Sequence, residues 1–349
     1  MEKKSLIGLT LCLLVALPWF VTCAESASIS KPTELIFSSS LPAQSPAAKV
    51  FLRGAEMIEQ KSGGKVKFVY YWSNTLLPAA ETVKGVRVGT ADVALIWAGT
   101  QDYMPLSYNI MYQPFMGYPS MQAGAKIYEQ LYNKFPALKE EFAGLKRLSS
   151  RLYPPVQIHT AKKAVKAPSD LKGMKIAAVG GGRIGMLMKA MGAAPVDIPV
   201  GEINLSLSTG VVEGWVEHFP AVMVFGAIPK LSYHTILGEG GISMGLQSLV
   251  MNPKTFDRLP SDVQKIVEEA AAWWGEESMN VDNSEIERAV NAGKELKHTF
   301  TYLTPQEVQV WADNATELHQ KWIAEMESKG KPAKAIYDEA KRLIKEYRK

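Results

Sequence analysis

The residues that could perform chemistry are few, and the five histidines are the first set to consider. They stand at positions 159, 218, 234, 298 and 319, and no two have the H-x-x-x-H or H-E-x-x-H spacing. Those spacings place two imidazoles on one face of a helix, as a zinc site requires. The sequence also has no Walker A loop. The pattern therefore argues against zinc chemistry and offers no Walker A phosphate loop.

One glycine-rich segment does satisfy a cofactor-binding pattern. Residues 180–185 read G-x-G-x-x-G after a predicted strand, and Asp197 ends the next predicted strand, where a ribose-binding acid can stand. The mid-chain position of the motif and an export signal favour a different interpretation, a turn whose N–H groups face a ligand. We predict no cofactor and no metal. The alternative is an exported enzyme that uses this turn as an anion site, and the lack of a nucleophile–base pair counts against it.

The N-terminus has the pattern of an export signal. Two lysines precede an uncharged run over residues 6–21, and small residues follow it. Residues 1–24 are therefore predicted to be a signal peptide, with an uncleaved anchor or acylation at Cys23 as alternatives. Cys12 and Cys23 are the only cysteines, so the mature chain is predicted to contain no disulfide, thiolate metal site or cysteine nucleophile. We expect the protein in the periplasm.

Length and charge limit the number of domains and the kinds of binding partner. The chain has 349 residues, of which 47% are apolar, and this length corresponds to about two domains. Its 39 Lys and Arg against 35 Asp and Glu leave a net charge of +4. That balance, without a basic stripe that includes aromatic residues, argues against a nucleic-acid partner.

Strand and helix patterns alternate along most of the chain and must position any site. A β-α-β-α-β order up to Trp97 predicts an α/β fold with a mostly parallel sheet covered on both faces. We assign residues 25–153 to a first lobe and 154–230 to a second lobe. Residues 231–349 are predicted to supply strands that cross between the lobes and long helices, among them 260–297 and 305–328. Four tryptophans on these helices are expected in the core: Trp273, Trp274, Trp311 and Trp322.

Two α/β lobes, a crossing segment and long bridging helices describe a two-lobed clamshell like the periplasmic binding proteins. Ligands of such open sheets bind at the carboxyl ends of the strands. The site is therefore predicted between the lobes.

Several motifs together resemble the solute receptors of TRAP transporters, the DctP-like family. The specific pair is D-L-K-G-M-K-I at 170–176 and G-V-V-E-G at 210–214. Further matching segments, in the same order along nearly the whole mature chain, are 62–66, 74–78, 89–92, 167–169 and 192–196. The resemblance implies a receptor that closes on one small solute and is not an enzyme. It also implies membrane subunits as partners, which import the solute with a sodium gradient.

The resemblance also locates a ligand site, and this chain departs from it. Most members carry an arginine after L-K-G-x-K-I that binds the substrate carboxylate with its planar fork, whereas this chain has Ala177 there. The position of a second family arginine falls near Gln157, and that of an asparagine near Glu217. Trp97 and Ser40 occupy two further contact positions at strand ends.

These departures predict the class of ligand. A buried pocket that lacks its arginine and contains Glu217 would repel a small dicarboxylate. Trp97 and Trp215 would supply flat apolar faces, so we expect an aromatic or extended apolar solute, neutral or bearing an amine. A monocarboxylate receptor that uses Arg183 or Arg151 is the alternative.

Each of these residues also has a plain structural interpretation. Glu217 could be a solvated acid at a helix start, and either tryptophan could belong to the core. His218 completes the predicted site, as a ligand contact or a structural hydrogen-bonding group.

Overall fold

The structure is a computed structural model that describes residues 31–97, 103–178 and 182–349. The predicted signal peptide and Gly180 and Gly181 of the glycine-rich turn lie outside the described residues. The strands, in chain order, are β1 (Thr33–Ser38), β2 (Val66–Tyr71), β3 (Val93–Ile96), β4 (Lys146–Leu152), β5 (Gln157–Thr160), β6 (Lys175–Ala177), β7 (Ala194–Val196), β8 (Gly214–Glu217), β9 (Tyr233–Ile236), β10 (Leu246–Met251) and β11 (Thr299–Tyr302).

Helices cover both sheets. In chain order they are α1 (Pro46–Lys61), α2 (Thr82–Val88), α3 (Ser107–Tyr112), α4 (Met121–Lys134), α5 (Pro136–Glu140), α6 (Arg183–Ala190), α7 (Ile203–Ser208), α8 (Phe219–Val224), α9 (Pro253–Arg258), α10 (Ser261–Glu295), α11 (Pro305–Asp313), α12 (Thr316–Ser328) and α13 (Ala333–Tyr347).

The first sheet has the strand order β2-β1-β3-β10-β4. Strands β2, β1 and β3 are parallel, while β10 is antiparallel to both of its neighbours, β3 and β4. The prediction of a mostly parallel sheet is therefore corrected to a mixed one. The reason is that β10 comes from far along the chain and enters the sheet from the direction of the second lobe.

The second sheet has the order β11-β9-β5-β8-β6-β7. Strands β6, β7 and β8 are parallel, β9 and β11 are parallel, and β5 is antiparallel to both β8 and β9. This sheet is also mixed. The two sheets with their helices confirm the predicted α/β class.

Local sequence explains where α1 begins and ends. The hydroxyl of Ser45 accepts a hydrogen bond from the N–H of Ala48 at 3.2 Å, and Pro46 occupies the first turn, where its missing N–H costs nothing. Gly63 has φ of 62°, a left-handed conformation that suits glycine just after a helix. Phe51 of α1 stacks on Phe37 of β1 with 3.7 Å between ring centroids, which fixes α1 against the first sheet.

The long helix α10 contacts elements of both halves of the fold. It packs on α1 and β4 beside the first sheet and on α8 beside the second sheet. Gly275 allows the close approach to β4, because a Cβ there would lie 2.6 Å from the Ser149 hydroxyl oxygen. Trp274, Trp311 and Trp322 are buried as predicted, whereas Trp273 is half-buried beside Gly54.

The predicted helix at 305–328 is two helices, and this expectation is corrected. Helix α11 ends at Asp313, and α12 begins at Thr316. The Asn314 side chain donates to the carbonyl of Val310 at 2.9 Å, the kind of local bond by which asparagine competes with helix continuation.

Candidate functional site

A cleft of about 260 Å³ lies where the carboxyl ends of strands from both sheets meet. Because β10 is antiparallel to both β3 and β4, strands β1, β3 and β4 run in one direction. Their ends deliver Ser40, Trp97 and Tyr153 to the cleft, and the end of β8 delivers Glu217 from the second sheet. This is the edge at which open α/β sheets bind ligands.

Aromatic rings form much of the cleft wall. They belong to Trp97, Tyr112, Tyr153, His218 and Phe225. Gly245 makes room for two of them, since a Cβ at this position would lie 2.6 Å from Cε2 of Tyr112 and 3.6 Å from Cδ2 of Tyr153. A flat apolar body can therefore lie against rings on more than one side.

Glu217 is the acid that faces this aromatic wall. Its Oε1 accepts a hydrogen bond from the backbone N–H of His218 at 2.9 Å, and in the described part of the chain no donor is bonded to Oε2. Burial raises the pKa of Glu217 to about 7. The carboxyl is therefore poised to change its charge near neutral pH.

His218 begins helix α8 beside this acid. Its Nδ1 accepts a hydrogen bond from the N–H of Ala221 at 3.1 Å, and its ring stacks on Tyr153 at 5.7 Å with an interplanar angle of 11°. Burial and the charge of Arg151 lower the pKa of His218 to about 3. The neutral ring with an accepting Nδ1 must carry its hydrogen on Nε2.

A buried arginine lies behind the wall. Arg151 is 0% exposed, donates from Nε to Oε1 of Gln247 at 2.7 Å, and pairs through Nη1 with Asp282 of α10. Its guanidinium carbon lies 4.6 Å from the Tyr153 ring centre and 5.7 Å from that of Trp274. Arg151 thus compensates the charge of Asp282, which lines the cleft.

Glu217 is the exception among the acids that line the cleft. Glu285 is paired with Arg288 at 2.9 Å, and Asp282 with Arg151. Over the described residues, the only basic side chain with a nitrogen within 4 Å of the Glu217 carboxylate is the neutral His218, whose Nε2 lies 3.6 Å from Oε1. The cleft therefore contains one carboxyl without a cationic partner.

Four of the residues predicted from the sequence line the cleft: Ser40, Trp97, Glu217 and His218. Two others lie in the core of the second lobe, where Ala177 and Trp215 are both 0% exposed. Trp215 stands two residues before the end of β8 and lies under α8 and α10, so its depth along the strand keeps it from the cleft.

Gln157 and Arg183 also lie away from the cleft lining. Gln157 accepts from the N–H of Leu237 at 2.8 Å and donates to the carbonyl of Gly238 at 3.3 Å, so its amide bonds to backbone. Arg183 donates from Nε to Oδ1 of Asn109 at 2.9 Å, with its guanidinium carbon 5.7 Å from the Trp322 ring centre. Burial lowers the pKa of Arg183 to about 10.

The cleft also has residues that sequence reasoning did not select. Tyr112 ends α3, Phe225 follows α8 and Asp282 lies midway along α10. Only Tyr153 carried a usable signal, because it directly follows residues 146–152, which the sequence predicts to be a strand, as Trp97 follows the predicted third strand. The others come from helices whose placement depends on long-range packing.

A chain of three histidines crosses the second sheet beside the cleft. His159 Nε2 lies 3.0 Å from the carbonyl of Glu217, His159 Nδ1 lies 2.8 Å from Nδ1 of His234, and His234 Nε2 lies 3.1 Å from Nδ1 of His298. A carbonyl only accepts, so His159 donates from Nε2 and accepts at Nδ1. The bonds then require His234 and His298 to donate from Nδ1.

This row of three hydrogen-bonded histidines predicts a pH dependence of the free energy of unfolding. Burial lowers the pKa of His159 to about 4. Between pH 6.5 and 4 this histidine therefore binds a proton in the unfolded protein but not in the folded protein. The contribution of His159 to the free energy of unfolding is complete above pH 6.5, and it is lost as the pH drops toward 4. In His159→Gln, we expect the slope of unfolding free energy against pH between 5 and 6 to fall by up to about 1.4 kcal/mol per pH unit. Urea titrations check it, and an unchanged slope contradicts the assignment.

Neither a metal cluster nor a membrane span is visible in the described ranges. No group of three or more His, Cys, Asp or Glu side chains there could hold a metal ion. Likewise, none of the helices described is long and apolar enough to cross a bilayer.

Comparison with known proteins extends these observations. A family model described as bacterial extracellular solute-binding protein, family 7 (DctP), matches residues 37–326. The C4-dicarboxylate-binding periplasmic protein DctP of Rhodobacter capsulatus is 24% identical over 84% of this chain and 87% of its own length.

Two solved structures illustrate the similarity of fold. A TRAP solute-binding protein of Rhodoferax ferrireducens, in complex with copurified benzoate, has a TM-score of 0.81 at 21% identity and covers 90% of this chain and 98% of its own. A marine metagenome TRAP solute-binding protein specific for aromatic acid ligands, in complex with 3-hydroxybenzoate, has a TM-score of 0.82 at 24% identity. It covers 92% of this chain and 100% of its own.

Proposed function

The chain belongs to the bacterial extracellular solute-binding proteins of family 7, and from this premise we propose that it captures an aromatic amine for a TRAP-type importer. The family and the two-lobed α/β fold expected from the motifs are confirmed. Members of this family are solute receptors rather than enzymes and work with membrane subunits. We extend this to a periplasmic location and a sodium-coupled membrane partner here.

The observation that carries the ligand class is the unpaired carboxyl of Glu217 in an aromatic cleft. A buried charge without a partner is costly, so a ligand that brings an opposite charge gains the most there. Asp282 and Glu285 already have arginine partners, while Glu217 has none among the described residues. An ammonium group fits this position. A dicarboxylate would add two negative charges to a cleft whose described lining residues include no arginine or lysine.

Cleft size supports a ligand body larger than one ring. A dry cavity of about 150 Å³ accepts benzene, and this cleft measures about 260 Å³. An indole or similar two-ring body is therefore the reference probe. Trp97, Tyr112 and Phe225 provide faces on which it can stack.

A second candidate, an aromatic carboxylic acid, is favoured by one specific observation. With its pKa of about 7, Glu217 is protonated below neutral pH and can then donate a hydrogen bond to a carboxylate. The Nε2–H of His218 would be a second donor. Two solved structures with this fold contain benzoate and 3-hydroxybenzoate. The alternative that relied on Arg183 or Arg151 has less support, because neither side chain lines the cleft.

A panel of probes at two pH values tests these proposals. Tryptamine at pH 8.5 is expected to raise the melting temperature by several degrees when its concentration is about 100 times Kd, with tryptamine recovered unchanged. Succinate is the dicarboxylate control and is expected to cause no shift. Indole-3-acetate that binds only at pH 6 would identify the second candidate. Stabilisation by succinate alone would contradict both.

A further inference from the structure

His218 presents a hydrogen-bond donor of fixed position to the cleft. Its Nδ1 is occupied by the N–H of Ala221 at 3.1 Å, so the hydrogen is on Nε2. Nε2 lies 3.6 Å from Oε1 of Glu217, beyond hydrogen-bond distance, and no other acceptor of the described residues is bonded to it. The side chain lines the cleft and is 17% exposed.

The ring cannot readily turn this donor elsewhere. The bond to Ala221 holds one side, and Tyr153 stacks against the ring face at 5.7 Å. Tyr153 is itself held by Gln247, whose Nε2 donates to the phenol oxygen at 2.6 Å, and by the Arg151 guanidinium, whose carbon lies 4.6 Å from the ring centre. When a ligand fills the cleft, a donor fixed in this way remains unsatisfied unless the ligand supplies an acceptor. Leaving a buried donor without an acceptor costs more free energy than a formed hydrogen bond contributes.

We propose that His218 determines specificity, and that the solute carries an oxygen acceptor on the carbon next to the one that bears its ammonium group. The inference rests on the proposed function, since the ammonium group is the partner of Glu217. Donor and acceptor in the cleft are 3.6 Å apart. Nitrogen and oxygen substituents on neighbouring carbon atoms have a comparable separation and can engage both side chains together.

Charge indicates which acceptors fit best. His218 is neutral, and the ammonium group alone balances Glu217, so an additional carboxylate would lack a cation in the cleft. A hydroxyl or amide oxygen needs none. The class is therefore aromatic amines with a neighbouring neutral oxygen, such as amino alcohols and amino amides.

Two probes of almost the same shape test this. Tryptophanol and α-ethyltryptamine differ in one group, a hydroxyl in the first and a methyl in the second, and both carry the indole and the ammonium group. Isothermal titration calorimetry at pH 8 with the full mature chain is expected to show about tenfold tighter binding of tryptophanol.

Two variants of His218 separate recognition from folding. In His218→Asn, the side-chain oxygen can still accept from the Ala221 N–H as a helix cap, but the donor at the Nε2 position is lost. We expect the preference for tryptophanol to fall to about twofold or less. In His218→Gln the amide N–H reaches the Nε2 position while the cap is weakened. The preference is then expected to persist, with a lower melting temperature.

The outcomes distinguish this inference from the function on which it rests. If the wild-type protein binds neither probe and no other aromatic amine, the proposed function is wrong and the inference with it. If both probes bind equally well, or if His218→Asn retains the full preference, His218 does not set specificity, although an amine receptor remains. A preference that follows melting temperature in both variants would also overturn the proposal.

Discussion

Replacing Glu217 with glutamine is expected to weaken the binding of tryptamine at pH 8.5 by about a hundredfold, because a charge-assisted hydrogen bond is lost and an ammonium group is left unpaired in a mostly buried cleft. Glutamine has nearly the same shape and keeps an oxygen for the His218 N–H bond, which spans 2.9 Å in the wild type. Isothermal titration calorimetry measures the effect. Neutral indole is the control ligand, and its affinity should hardly change.

The pH dependence of affinity provides the matching control. With the pKa of Glu217 at about 7, an ammonium ligand must displace a proton below that pH. The wild-type affinity for tryptamine should therefore fall about tenfold for each pH unit below 7 and level off above it. Glu217→Gln should show no such dependence. Equal tryptamine affinity in both proteins at pH 8.5 would exclude Glu217 as the cation partner.

The same variant separates the two candidate ligand classes. Glutamine resembles the protonated acid, because it offers an N–H donor at all pH values. If the natural solute is an aromatic acid, Glu217→Gln should keep its affinity at pH 6 and extend that affinity to pH 8.5. If the solute is an amine, the affinity is lost at both pH values.

Asp282→Asn is expected to lower the free energy of unfolding by about 3–5 kcal/mol, because it leaves the Arg151 guanidinium charge unpaired in the core. Arg151 is 0% exposed, and an arginine cannot discharge by losing its proton. Urea denaturation at pH 7.5 measures the loss. A decrease below about 1 kcal/mol would show that water or another group compensates Arg151.

The reverse and double variants test the same pair. In Arg151→Met, the acid is left alone, and burial already raises the pKa of Asp282, so it can take up a proton. The loss of stability should therefore be smaller at pH 5 than at pH 8. Arg151→Met/Asp282→Asn removes both charges and is expected to recover most of the stability lost in Asp282→Asn. A double variant as unstable as the sum of the two would contradict a direct pairing.

Much of the fold was predictable from the chain because its elements have local causes. The serine cap and proline at the start of α1, and the glycines after it, define that helix without reference to the rest of the protein. Helices 305–313 and 316–328 were predicted as one because the apolar spacing continues across Asn314. The prediction of a mostly parallel sheet was wrong where β5 and β10 insert in the opposite direction, since pairing direction depends on distant strands.

The site was partly predictable for a related reason. Ser40, Trp97 and Glu217 were selected because the family resemblance places ligand contacts at these positions near strand ends, and strand ends converge at one edge. Trp215 was selected for its flat apolar face, but its position two residues deeper in β8 lies beneath helices. Tyr112 could not be selected, because its approach to the cleft depends on the absence of a side chain at Gly245.

The sequence by itself determined the family and the two α/β lobes, because motifs, periodicity and caps act over a few residues. Only the tertiary structure decided the charge of the cleft. Arg151 pairs with Asp282, which lies 131 positions away in the sequence. This contact compensates the negative charge of Asp282, whereas Glu217 has no cationic partner among the described residues. Charge compensation depends on distance in space, which pairing of remote segments sets and local sequence does not encode.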